Sequence, residues 1–147
     1  MTILNSLIIY QPHQDDYLSQ VVEGEDAKKI RGLAKDIAEV RHEIARLARD
    51  KKKRFVRHSP SSPCVWQPLT VINPETDLPF TAERAWKYIA ELAEMGHPMD
   101  EVVLRKPPGE VAYEMKVELA TNVPPLYIKF QIKGGNIHGR SFHYSSQ

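Results

Sequence analysis

The chain has 147 residues, of which 41% are hydrophobic and 27% charged, as is usual for a globular protein with a core. Its 20 Lys and Arg residues nearly balance 19 Asp and Glu, so the net charge of +1 says nothing about partners. Residues 59–147 carry 8 Lys and Arg against 10 Asp and Glu, and this slight acidity argues against binding nucleic acid through one broad basic surface. The single cysteine, Cys64, excludes an intramolecular disulfide and a cysteine-rich metal site.

The first ten residues carry a short apolar segment, ILNSLIIY, which is compatible with a strand or with the start of a helix. It lacks the basic start of a signal peptide, and it falls well short of the roughly 20 apolar residues of a membrane-spanning helix. We therefore expect no signal peptide, no membrane segment and a location in a reducing cytosol.

Residues 26–53 predict a helix whose apolar positions alternate in steps of three and four. This spacing is typical of a coiled-coil seam. Two alternatives follow: the helix packs on its own domain, or the seam binds a second copy of the chain or another protein. The seam consists of Ile30, Leu33, Ile37, Val40, Ile44 and Leu47. The basic residues that follow, Lys51 to Arg54, are favoured at a helix C-terminus by the dipole, and we interpret them as a solvated end rather than a phosphate site.

The segment HSPSSPCVWQP has three prolines and three serines in eleven residues, a composition typical of linkers. It predicts a boundary near residue 60. The resulting division has an N-terminal helical extension at residues 1–60, a Pro/Ser-rich linker at residues 61–79 and a folded domain at residues 80–147.

A second helix is predicted to begin after Thr81, whose side chain can cap it, with Glu83 near the positive end of the dipole. Gly96 and Pro98 predict its end. Its apolar stripe contains Ala85, Trp86, Ile89, Leu92 and Ala93. Three strands should follow before the last hairpin strand, at residues 102–104, 111–119 and 126–132. The expected fold class is α+β: a long N-terminal helix, then a helix packed on an antiparallel sheet of three or four strands.

Gly134-Gly135 predicts a two-residue hairpin turn, because both central positions of a type I′ turn need a positive φ. Continued without interruption, this register places Lys129 opposite Arg140 and Tyr127 opposite Phe142. One face then carries Ile137, Ser141 and His143 with the apolar residues of the preceding strand. The other face collects Tyr127, Lys129, Gln131, His138 and Arg140.

Like charges directly opposite each other destabilise a sheet by a fraction of a kcal/mol to about 1 kcal/mol, which a solvated surface tolerates. The functional alternative is that this face binds an anion. Cleavage of RNA by its own 2′-hydroxyl needs a base, a cation for the phosphorane and an acid, and it needs no metal. Histidine can supply the acid or the base, and Lys129 and Arg140 the charge.

The hairpin also resembles a known family. Tyr127-Ile128-Lys129-Phe130, followed after the turn by Ser141-Phe142-His143, is similar to the C-terminal hairpin of MqsR-type toxins, which are RelE-like bacterial mRNA interferases held by an antitoxin. The resemblance covers about residues 80–147. It implies a RelE-like domain in which Tyr127 is catalytic and Lys129 and His143 occupy other polar positions of the pattern. The family's Trp-Gln-Asp-Val-Tyr stretch is replaced here by LRKPPGEVAYEMKV.

The sequence therefore predicts a metal-independent endoribonuclease toxin of a toxin–antitoxin pair, without a cofactor. The expected catalytic residues are Tyr127, Lys129, His138, Arg140 and His143, and the expected RNA-binding residues are Gln131, Lys106 and Lys116. The expected partners are RNA, an antitoxin and a second copy bound through the helix seam. The alternative function is a non-catalytic interaction module that dimerises through that seam.

Overall fold

The computed structural model describes residues 25–145, with side chains from residue 37 onward. The apolar segment at residues 3–10 lies outside the described residues. Residues 25–145 form two helices and eight strands, in chain order α1 (Glu25–Ala48), β1 (Arg54–Phe55), β2 (Val65–Trp66), β3 (Ile72–Asn73), β4 (Leu78–Pro79), α2 (Ala82–Glu94), β5 (Asp100–Val103), β6 (Val111–Val117), β7 (Leu126–Lys133) and β8 (Asn136–Tyr144). Short 3-10 turns occupy Lys51–Lys53 and Pro68–Thr70.

The chain divides into two compact units, Met1–Val40 and Arg41–Gln147, and the architecture below is that of the second. Its main sheet has six strands in the order β1-β8-β7-β6-β5, with β2 also paired to β8. β5 to β8 are antiparallel neighbours, whereas β1 and β2 both run parallel to β8. β3 and β4 form a separate two-stranded sheet.

The predicted fold class is wrong. The part of the chain described here is dominated by a six-stranded mixed sheet, not by a small antiparallel one. Two of its strands, β1 and β2, come from residues predicted to be a helical extension and a linker. Nor is α1 the separate N-terminal helix that was predicted, because its last two turns belong to the core: Ile44, Leu47 and Ala48 are fully buried.

This burial also removes part of the expected dimer seam. Ile44 and Leu47 already pack inside their own unit, so they cannot form a coiled coil with a second copy. Ile37 is 47% exposed and Val40 is half-buried, while Ile30 and Leu33 lie outside the residues whose side chains are described. The helix was predicted either to pack on its own domain or to bind a partner through its seam. Ile44 and Leu47 pack on their own domain.

Helix α2 forms as its capping and apolar pattern predict. Thr81 Oγ1 accepts a hydrogen bond from Arg84 N at 3.1 Å, and Gly96 adopts a positive φ just beyond the last turn. The predicted stripe is buried, at Ala85, Trp86, Ile89, Leu92 and Ala93. The prediction of this helix is confirmed.

An aromatic cluster fixes β2 to β8. Trp66 lies 4.9 Å from Trp86 and 5.5 Å from Phe142, and Phe142 in turn packs edge-on to Phe80 at 5.2 Å, measured between ring centroids. Such pairs contribute about 0.5–1.5 kcal/mol each beyond their buried area. The cluster lies on one face of the sheet, and the candidate functional residues lie on the opposite face.

Candidate functional site

The hairpin turns where the two glycines predict. Gly134 and Gly135 have φ values of 60° and 75°, and Lys133 pairs with Asn136. The predicted pairs of Ile132 with Ile137, Gln131 with His138 and Phe130 with Gly139 are also present. The first four pairs of the hairpin are therefore those that the turn predicts.

Beyond those pairs the register shifts by one residue, between Lys129 and Phe130 on β7. Lys129 pairs with Ser141 instead of Arg140, Ile128 pairs with Phe142, and Tyr127 pairs with His143. Arg140 is the extra residue of a β-bulge, which re-aims the side chains that follow it. The predicted pairing of two like charges, Lys129 opposite Arg140, is therefore wrong.

The bulge also reassigns faces. Phe142 joins the buried aromatic cluster, and Ser141 and His143 move to the side of the sheet that carries Tyr127 and Lys129. Both had been predicted on the apolar face. We call the resulting polar surface the open face; its members on β6, β7 and β8 are Glu114, Lys116, Tyr127, Lys129, Gln131, His138, Arg140, Ser141 and His143.

A concave groove of about 540 Å³ lies on the open face between β8 and the β5–β6 turn. We call it the groove. Four basic side chains line it, Lys129 and Arg140 from the hairpin and Arg105 and Lys106 from the turn, together with the carboxylate of Glu114. The other lining residues are Pro63, Val65, Val102, Val103, Leu104 and Ser141. A groove with this excess of cations suits an anionic ligand.

Tyr127 and Glu114 form a close pair at the centre of the open face. Tyr127 Oη donates a hydrogen bond of 2.5 Å to Glu114 Oε2 across β6 and β7. Burial of the phenol raises the pKa of Tyr127 well above its usual range, and the hydrogen bond to the Glu114 carboxylate and its charge raise it further. The phenol therefore stays protonated at neutral pH. It can give up its own proton only while it accepts another proton from a neighbouring group.

His143 lies directly across the hairpin from Tyr127, with 5.6 Å between ring centroids. Its Nδ1 lies 2.8 Å from the carbonyl oxygen of Tyr144. A carbonyl oxygen can only accept, so Nδ1 carries the hydrogen, which leaves Nε2 as the ring atom available to a ligand. On the other side of Tyr127, the Lys129 Nζ lies 5.8 Å from the phenol ring centroid.

Arg140 is buried, at 7% exposure, between the groove and the loop before β2. Its Nε donates to Gln131 Oε1 at 2.8 Å, its Nη2 reaches the same oxygen, and its Nη1 donates to Ser62 Oγ. No carboxylate of residues 37–145 lies within ion-pair distance of this guanidinium. A buried cation held by neutral groups alone is costly unless an anion joins it.

Gln131 positions Arg140 and is not itself available to a ligand. It is 2% exposed, its Oε1 is occupied by the guanidinium, and its Nε2 donates to Glu110 Oε1 at 3.0 Å and to the Val111 carbonyl at 3.2 Å. The predicted RNA-binding role of Gln131 is thus replaced by a structural one in this arrangement.

The two lysines predicted to bind RNA have different positions. Lys106 lines the groove. Lys116 is exposed on β6 opposite Tyr127, outside the groove but on the same face. His138 stands at the other end of the open face, where burial and then the charges of Arg140, Lys133 and Arg57 lower its pKa.

Sequence reasoning missed Glu114 and Arg105. Glu114 pairs with Lys129 on the neighbouring strand, but that register depends on the irregular connection between β6 and β7, whose length no turn motif fixes. The bulge did leave a signal. Ile137 and Phe142 both need burial and are five residues apart, whereas positions on one face of a regular strand are an even number apart.

Among the described residues, 25–145, no helix is long and apolar enough to cross a membrane. Among residues 37–145, whose side chains are described, no group of three or more His, Cys, Asp or Glu is placed to hold a metal ion. No protein family, no curated protein and no solved structure matches this chain. The arrangement of the open face is therefore what bears on function.

Proposed function

We propose that the open face binds single-stranded RNA and cleaves it by attack of the 2′-hydroxyl on the adjacent phosphorus. The observation that carries this proposal is the buried Arg140 guanidinium, which lacks a carboxylate partner among residues 37–145 and lines the groove beside Lys129. A phosphodiester in the groove would provide the missing negative charge. Lys106 and Arg105 add two more cations to the lining of the groove, where the RNA strand would lie.

Tyr127 and His143 do not line the groove, but Tyr127 is bonded to Glu114, which does, and His143 pairs with Tyr127; we assign the proton transfers to these side chains. The 2′ oxygen forms a bond to phosphorus while its proton passes to Tyr127 Oη, and Tyr127 gives its own proton to Glu114 along their 2.5 Å hydrogen bond. His143, protonated at Nε2, gives a proton to the leaving 5′ oxygen as the P–O5′ bond breaks. Lys129 and Arg140 stabilise the phosphorane. The products are a 2′,3′-cyclic phosphate and a 5′-hydroxyl.

The likeness of the hairpin to that of MqsR-type toxins supports the same proposal, since Tyr127, Lys129 and His143 are the residues that match the pattern. A toxin that cleaves mRNA acts in the cytosol and is held inactive by an antitoxin. We propose both properties for this chain, with the open face as the surface that an antitoxin would cover.

The proposal is tested by the chemistry of the products. Purified protein is incubated with end-labelled mRNA in the presence of EDTA, and the new ends are identified. We expect fragments ending in a 2′,3′-cyclic phosphate, no cleavage of an all-2′-deoxy strand, and undiminished activity in EDTA. Tyr127→Phe should cleave about 100-fold more slowly, because the relay to Glu114 is interrupted.

Two results would contradict it. The first is the absence of cleavage in several unrelated mRNAs at high enzyme concentration. The second is cleavage that Tyr127→Phe leaves at the wild-type rate, which would place the activity elsewhere. A circular dichroism spectrum of Tyr127→Phe that matches the wild type shows that its slower cleavage is a catalytic effect.

A further inference from the structure

A second cavity, of about 300 Å³, lies on the other side of Arg140 from the groove. Arg57, Lys133, His138 and Arg140 line it, together with the hydroxyl-bearing Ser62. We call it the second cavity. Arg140 lines both spaces, so one guanidinium stands between them.

As far as residues 37–145 are concerned, the lining of the second cavity carries three permanent cations and no carboxylate. Glu110 contacts one of these cations: its Oε1 and Oε2 accept hydrogen bonds from Lys133 Nζ at 3.1 and 3.0 Å. The hydrogen bond from Gln131, and then that from Lys133, hold the pKa of Glu110 below its usual range. Glu110 stays charged at neutral pH and competes for Lys133 with any anion that enters.

Two planar groups that line this cavity, those of His138 and Arg57, both pack on Phe55, whose ring is not part of the lining. His138 stacks on Phe55 with 5.7 Å between centroids, and the Arg57 guanidinium lies 4.8 Å above the same Phe55 ring. Aromatic and guanidinium planes beside several cations are the features with which proteins hold single-stranded nucleic acid without regard to sequence. The cavity therefore offers both an anion site and a stacking surface.

We propose that the second cavity binds the phosphodiester next to the scissile one on the same RNA strand, with Arg140 contacting both phosphates. This inference rests on the proposed function for the identity of the strand. Lys133 and Arg57 hold the neighbouring phosphate, and the Phe55–His138 stack receives the adjoining base. The strand thus crosses Arg140 as it passes from the groove to the second cavity.

Binding of a strand that cannot be cleaved tests this site separately from catalysis. The probe is a fluorescent 2′-O-methyl RNA hexanucleotide, whose anisotropy is titrated with the full chain at several salt concentrations. Arg57→Ala/Lys133→Ala should weaken binding about 10- to 100-fold. The slope of log K against log salt should decrease in magnitude by about 0.7 for each phosphate that the variant no longer neutralises.

A matched control removes the same charge elsewhere. Lys52→Ala/Lys53→Ala deletes two exposed cations that line neither cavity, and it should bind within twofold of wild type with an unchanged slope. Glu110→Gln should change binding in the opposite direction, tightening it severalfold, because Lys133 is released while the acceptor for Gln131 is kept.

Equal weakening by the two double variants would overturn the proposal, because the effect would then be that of net charge alone. Unchanged binding in Arg57→Ala/Lys133→Ala would overturn it too. The outcome is separable from that of the cleavage test. A protein that binds the probe through Lys133 but cuts no RNA keeps this site and rules out the proposed reaction. A protein that cuts RNA but binds the probe independently of Lys133 keeps the proposed reaction and rules out the second cavity as a phosphate site.

Discussion

A series of hydrogen bonds on the open face leads to Arg140. Gln131 and Ser62 hold its three nitrogens, Gln131 is held in turn by Glu110, and Glu110 pairs with Lys133. This series of hydrogen bonds fixes the guanidinium between two cavities without neutralising it. Rigid placement of a cation before a ligand arrives is what electrostatic catalysis requires, because no reorganisation is then needed during the reaction.

His138 should make folding stability depend on pH. The pKa of His138 in the folded chain lies below its ordinary 6.5, chiefly through burial, so the unfolded chain binds a proton more readily than the folded one. Stability is therefore full above about pH 6.5 and decreases as the pH falls through the lowered folded value. We expect urea unfolding between pH 7.5 and 5.5 to show a larger decrease for wild type than for His138→Gln.

Two carboxylates among residues 37–145, Glu83 and Glu110, have lowered pKa values, and they affect stability in a separate pH range because their contributions begin to fade only below about pH 4.5. They leave the comparison at pH 7.5 and 5.5 unaffected. Identical pH dependence of wild type and His138→Gln in that interval would contradict the assignment to His138.

Among single residues, the sequence predicted which side chains share the open face better than it predicted how they are arranged there. Tyr127, Lys129, His138 and Arg140 do share that face, as the alternation of the hairpin predicts. His143 was placed on the wrong side, and Glu114 was not considered, since each depends on one register that local sequence does not fix. The alternation of residue types along the hairpin thus predicts which side chains lie together. Their arrangement depends on the bulge at Arg140 and on the connection between β6 and β7.

At the scale of elements, β8 is the strand around which the sheet is assembled. It pairs with β7 along its length and with the two short parallel strands β1 and β2 on its other edge. Strands of two residues have no periodicity, so alternation cannot predict them. The hairpin and helix α2 were predictable because a glycine pair, a threonine cap and long regular patterns specify them locally.

Gly139 allows β2 to approach β8. A Cβ at this position would lie 2.5 to 2.8 Å from three ring atoms of Trp66, closer than real Cβ atoms approach such neighbours. We expect Gly139→Ala to destabilise the protein by about 1–3 kcal/mol, the usual cost of overpacking. Urea unfolding measures this destabilisation.

The steric origin of that destabilisation can be isolated with a double variant. Trp66→Leu removes the ring, so adding Gly139→Ala in the Trp66→Leu background should cost markedly less than it does in wild type. An equal cost in the two backgrounds would show that Trp66 is not the group with which the new methyl collides.

At the scale of the whole molecule, the last turns of α1 are part of the folded unit that contains the sheet. Ile44 and Leu47 are fully buried, and truncating such a side chain to alanine costs about 2–5 kcal/mol. The sequence predicts the apolar stripe of α1 but not the surface on which it packs, because the same spacing occurs in coiled coils and in helices that pack inside a domain. Packing between distant segments decides between the two.

Two truncations test where the folded unit begins. A chain of residues 41–147 keeps Ile44 and Leu47 and should unfold cooperatively, because it matches the second compact unit. A chain of residues 54–147 lacks both side chains, at a combined cost of about 4–10 kcal/mol, comparable to the whole stability of a typical domain. Cooperative unfolding of the shorter chain with undiminished stability would contradict the assignment of α1 to the core.

The cleavage rates of two lysine variants show whether RNA is cleaved on the open face. Lys129 lines the groove on the open face, whereas Lys87 is an equally charged, exposed residue of α2. In single-turnover reactions with one mRNA, Lys129→Ala should be slower than wild type by about 100-fold, the usual effect of removing one group that stabilises a developing negative charge, and Lys87→Ala should match wild type. Equal rates for all three proteins would show that RNA is not cleaved on the open face.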